Sequence, residues 1–101
     1  MIDKGKQLEK LIHMAEKNGI KILFTPFKSN DGLILKHNGE YRIGLRMDMG
    51  IDNYIKILAH ELAHFYLHIR EGIDVIDSEN EELYEMQADQ VAEMVICLLN
   101  E

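Results

Sequence analysis

Residues 57–68 read ILAHELAHFYLH, and the way this stretch folds decides the architecture around it. At 100° per residue, a helix sets Ile55, Leu58, Ala59, Leu62, Phe65, Tyr66 and Ile69 along one side as a core stripe. With Ile55 at zero, His60, His64 and His68 fall at roughly 140°, 180° and 220°, and Glu61 near 240°. Ile57 and Leu67 share that half, so the helix is apolar nearly all round and is expected at the centre of the domain. Ionisable groups on a buried face need partners, and two imidazoles one turn apart can both reach a single cation. The competing reading is a packed, histidine-rich helix without a metal.

The H-E-x-x-H spacing has a chemical consequence. Glu61 cannot easily share a metal vertex with His60 and His64, so it sits beside the site, where it can take a proton from a water on the metal. Zinc lowers the pKa of such a water to ~7. Together these are the two parts that peptide hydrolysis needs.

Catalytic zinc usually takes three protein ligands. One zincin class has a third histidine six residues after the second, but that position is Arg70, and Leu67 stands where that class needs a glycine. The other class takes a glutamate from a later helix, for which Glu79, Glu81, Glu82 and Glu85 are candidates. Glu81 suits a capping box with Ser78, and Glu79 falls in a first turn that frays. Glu85 has the best surroundings, because Ala88, Asp89, Ala92, Ile96 and Leu99 share its helical face. The alanines allow another helix to approach closely, and Asp89 is placed to accept a ring N–H from a ligand histidine. A solvated acidic start to the helix is the plainer alternative for Glu85 and Asp89.

Upstream, Leu8, Leu11, Ile12 and Ala15 predict a helix from about Asp3, stopped by Asn18-Gly19. Ile20–Phe24 predicts a strand, and LILKHNGEYRIGLRM (33–47) a hairpin about an Asn38-Gly39 type I′ turn. Tyr41, Ile43, Leu45 and Met47 alternate with polar or small residues, as in a half-buried strand. That strand reads equally well as a sheet edge above the site, where an extended peptide can pair, or as an interior or solvent-facing strand. Asp52 is a candidate cap for a helix over about 53–70, broken by Gly72 and followed by the loop EGIDVIDS and a last helix from near Glu79. The expectation is one α+β domain over residues 1–101, with a small antiparallel sheet, a central metal-binding helix and a following helix: a minimal zincin-like domain.

The 101 residues carry a net charge of −7, which disfavours nucleic acid as a direct partner. Cys97, the single cysteine, lies in the apolar run VICLL and is expected to be buried. Neither an N-terminal apolar leader nor a membrane-length apolar run is present, so a cytoplasmic protein without membrane attachment is expected. Oligomeric state is not legible.

HELAHFYLH (60–68) and EMQADQVAEMV (85–95) together resemble the ImmA/IrrE family of small zinc metallopeptidases, of the gluzincin group. The resemblance runs over roughly residues 40–97. The family's first segment is approximately H-E-L-G-H-x-x-L-H, kept here apart from Ala63. Its second is roughly E-x-x-A-N-x-F-A, matched by Glu85, Ala88 and Ala92, with Asp89 and Val91 at the asparagine and phenylalanine positions. The resemblance implies Zn²⁺ on His60, His64 and Glu85, Glu61 as general base, and Asp89 as a support for the ligands. It further implies an intracellular endopeptidase of phage or mobile-element type, whose protein substrate is a DNA-binding repressor. A zinc-containing regulatory binding protein with little or no hydrolysis is the alternative, and a metal-free interaction domain is a third reading.

His68 lies a further turn along and is expected to support the site by hydrogen bonding, or else to contact substrate, rather than to ligate. His13 and His37 read as surface residues and Tyr66 as a core residue.

Overall fold

The computed structural model describes residues 3–69 and 80–99. The expected break at Gly72, the acidic loop, Ser78 and Glu79 lie outside the described residues, as does Arg70.

The first helix, α1 (Lys4–Lys17), begins where the sequence predicts. Its N-cap Asp3 is extended, and the carboxylate accepts from the Lys6 backbone N–H at 3.0 Å. Such a cap satisfies one otherwise unpaired donor of the first turn. Asn18 closes the helix, and its side-chain amide donates to the Met14 carbonyl and to the Tyr66 hydroxyl. The chain then forms β1 (Lys21–Thr25), β2 (Gly32–His37) and β3 (Glu40–Arg46). Between β2 and β3, Asn38 and Gly39 have φ of 51° and 81°, the two positive values that a type I′ turn requires.

The sheet order is β1-β3-β2. β2 and β3 are antiparallel, as the hairpin predicts, but β1 joins β3 in parallel, so the sheet is mixed. The hairpin folds β3 back into the gap between β1 and β2, which decides one open reading and corrects another. First, the strand over Tyr41–Met47 is central rather than at the edge; the edge beside the site is β2. Second, Met47 lies past β3 and is exposed, its N–H donating to the Thr25 carbonyl.

The long helix α2 (Ile51–Leu67) crosses one face of this sheet. Gly50, not Asp52, is its N-cap, and no side chain caps it. Asp52 sits within the first turn and pairs with Lys4 of α1. Ile55, Leu58, Ala59, Leu62 and Phe65 are buried with Leu11 and Ala15 of α1 and with Ile43 and Leu45 of β3, in a single core. Leu58, Ile43 and Leu45 are wholly buried, and cutting such a leucine to alanine costs ~2–5 kcal/mol. The predicted core stripe is therefore the face that packs. His13 and His37 are exposed, and Tyr66 packs against the core.

The last helix, α3 (Glu81–Leu99), returns against α2. Among its described residues only Ala88 and Ala92 are buried. Cys97, expected inside, is exposed, as are Met86, Met94 and Leu98. The run VICLL is apolar all round, yet α3 packs on one side only, and Cys97 is turned about 140° from Ala92. Among the described residues, no helix is long and apolar enough to cross a membrane.

Candidate metal centre

The helices α2 and α3 lie antiparallel, so rising numbers on one meet falling numbers on the other. His60 faces Asp89 and Glu85, His64 faces Glu85, and His68 faces Tyr84 and Gln87. The close approach needed for this comes from Ala88 and Ala92, whose small side chains leave room for the neighbouring helix.

The nitrogen and oxygen atoms that His60, His64 and Glu85 offer lie within 4.8 Å of one another. His60 Nε2 is 3.0 Å from Glu85 Oε2, and His64 Nε2 is 3.0 Å from Glu85 Oε1. On its far side the His60 ring meets Asp89, with Nδ1 2.8 Å from Oδ1. His64 Nδ1 lies 3.2 Å from His68 Nδ1, and His68 Nε2 lies 3.0 Å from Gln87 Oε1. The His60 ring is partly open, whereas His64 and His68 are buried.

These distances test whether the donor set suits a metal. A carboxylate only accepts, so Asp89 takes the His60 Nδ1–H, and in the neutral ring Nε2 is then the nitrogen that can ligate. Burial holds the His64 imidazole below its ordinary pKa, against the pull of Glu85 in the other direction. A neutral imidazole has one ring proton. Two imidazole nitrogens and a carboxylate oxygen converging on one point are the donor set that a divalent cation such as zinc takes. The residues fit a metal.

Glu61 is 8% exposed and lines the same cleft as His60, His64 and Glu85. Burial pushes its carboxyl up to about 7, with His60 lowering it and Glu85 raising it further. The cleft, about 780 Å³, has β2 as its other wall. At Gly32 the strand comes so near α2 that a Cβ there would lie 2.4 Å from Ile57 Cγ2 and 3.5 Å from Glu61 Cγ.

A family model described as the IrrE N-terminal-like domain of Peptidase M78 matches residues 15–99. The chain belongs to the Peptidase M78 family. No curated protein and no solved structure matches it significantly. Peptidase M78 is a metallopeptidase family, and its match begins in α1, well before the resemblance read from the two motifs. It spans every strand and helix that builds the cleft.

Of the residues singled out from the sequence, His60, Glu61, His64 and Glu85 line this cleft, and Asp89 and His68 contact its two histidines from behind. Glu81 and Glu82, the other described candidates for the third ligand, are exposed and stand apart from it. Sequence reasoning missed β2 as a wall, Gly32 as a close approach, and Tyr84 and Gln87 around His68. The position of Tyr84 next to Glu85 was the one signal for its place beside His68, and nothing in the sequence indicated the Gln87 amide.

Proposed function

We propose that this M78 domain is a zinc-dependent endopeptidase, with Zn²⁺ held by His60, His64 and Glu85. The convergence of those three side chains beside a buried carboxylate, Glu61, is the observation that supports the reading. Zinc bound there acts as a Lewis acid, acidifying water and polarising a carbonyl. Glu61 is the general base that takes the proton from the attacking water and passes it to the leaving amine. In the metal-free fold, burial pushes this carboxyl up to about 7, so it holds a proton more tightly than an ordinary carboxylate does. Asp89 and His68 hold the two rings in place. The outer edge of β2 has no strand partner among the described residues, and it offers backbone groups that an extended peptide can pair with along the cleft. The substrate class proposed is a regulatory protein of the DNA-binding repressor kind, cleaved in the cytoplasm.

The test is metal content by mass spectrometry, together with cleavage of a peptide library, for wild type, Glu61→Gln and Glu85→Ala. One zinc per chain in the first two, cleavage in the first alone, and loss of zinc in the third are expected. Glu61→Gln cleaving at the wild-type rate would overturn the assignment of the base. A wild-type protein that takes up no zinc would overturn the reading as a whole.

A further inference from the structure

We infer that Gln87 is a positioning residue that fixes which nitrogen of His64 carries the proton, acting through His68. The inference rests on His64 being a metal ligand, and it concerns an amide that no motif marks. Three groups stand in line: His64 Nδ1 at 3.2 Å from His68 Nδ1, then His68 Nε2 at 3.0 Å from Gln87 Oε1.

The direction of the line follows from its far end. The Gln87 carbonyl oxygen only accepts, so His68 carries its proton on Nε2 and donates it there. His68 Nδ1 is then a lone pair and accepts from His64 Nδ1–H. That leaves His64 Nε2 unprotonated, 3.0 Å from Glu85 Oε1, in the state that binds a cation. Turned over, the amide NH₂ would donate to His68 Nε2, His68 Nδ1–H would donate to His64, and the His64 proton would move to Nε2, where it blocks a metal. His60 reaches the same ligating tautomer directly through Asp89. The two ligand histidines are therefore set by different devices, one a carboxylate at the surface and the other a buried neutral relay.

The surroundings favour a relay over accidental proximity. His68 is 2% exposed, its backbone N–H donates to the His64 carbonyl at 2.9 Å, and its ring lies against Tyr84 with centroids 4.5 Å apart. The ring is thus held between α2 and α3, with both nitrogens engaged.

The experiment compares wild type, Gln87→Leu and Gln87→Glu. Zinc affinity is measured by competition with a chromophoric chelator, and ring tautomers by long-range proton–nitrogen NMR of the zinc-free protein. Wild type should show His68 protonated on Nε2. Gln87→Leu, which keeps the bulk but removes the acceptor, should lose that single tautomer and weaken zinc by ~10–100-fold. Gln87→Glu, which can only accept, should restore the tautomer and bind zinc at least as tightly as wild type. Equal zinc affinity in all three, or Gln87→Glu as impaired as Gln87→Leu, would overturn the relay. So would a wild-type His68 protonated on Nδ1, whether or not zinc binds. Failure of wild type to bind zinc while His68 holds its Nε2 proton would instead refute the metal reading and leave the relay standing.

Discussion

Replacing Glu61 by glutamine should stabilise the metal-free protein at neutral pH, even as it removes the proton acceptor. In the unfolded chain the carboxyl ionises near its ordinary value of 4.5, whereas burial in the fold pushes it up to about 7. The folded state therefore favours the protonated form. That contribution is fully present below pH 4.5 and is lost as pH rises through 7, because the unfolded chain ionises first. At about 1.36 kcal/mol per pH unit, the difference amounts to about 3 kcal/mol at pH 8. Glutamine is neutral throughout and escapes this cost. Urea unfolding in the presence of a chelator, at pH 4.5, 6 and 8, reads the effect directly. The advantage of Glu61→Gln should be smallest at pH 4.5 and grow with pH to about 3 kcal/mol, equivalent to roughly 4–8 °C in Tm per kcal/mol for a chain of this size. A stability difference that stays flat from pH 4.5 to 8, or that shrinks as pH rises, would refute the claim that burial holds this carboxyl up.

Asp89→Ala should weaken zinc binding by ~10–100-fold by freeing the His60 tautomer, as read by chelator competition. Gly32→Ala should cost ~1–3 kcal/mol in urea unfolding, because the new methyl meets the stiff Cγ2 of Ile57. Adding Ile57→Ala should make the pair less than additive, and strict additivity would argue against the contact. Asp3→Ala should cost ~1 kcal/mol through loss of the α1 cap, measured in the same assay.

The parts of the fold legible in the sequence were those fixed by local chemistry. Asp3 and Asn18 bound α1 because capping is decided within a few residues, and Asn38-Gly39 sets the hairpin because few residue pairs accept its two positive φ angles. The centre was legible for a similar reason. The i, i+4 spacing of His60 and His64 and the Glu85–Asp89 spacing each fix a geometry within one helix. The less local the contact, the less the sequence told. The position of β3 between β1 and β2 depends on how the hairpin docks, so Tyr41–Met47 read equally well as an edge or an interior strand. Asp52 is a good capping residue by type, but the helix begins two residues earlier than expected, with Gly50 as its cap, and the Asp52 carboxylate pairs with Lys4. Cys97 misled because an apolar run does not say which of its sides will be covered. Gln87 was invisible because its role exists only once His68 stands beside it.

The proposed metal ligands His60, His64 and Glu85 come from α2 and α3. Residues 65–84 separate His64 from Glu85 along the chain, and among its described residues α3 fully buries only two alanines. A cation at that point would work as a clasp, closing a loop much as a covalent cross-link does and adding to the packing of Ala92, Val95, Ile96 and Leu99 against the core. Chelation should then make the chain beyond residue 80 the first segment cut in limited proteolysis, while α1, the sheet and α2 persist. Under the zinc reading proposed above, the surrounding free metal would set how long the C-terminal helix stays folded.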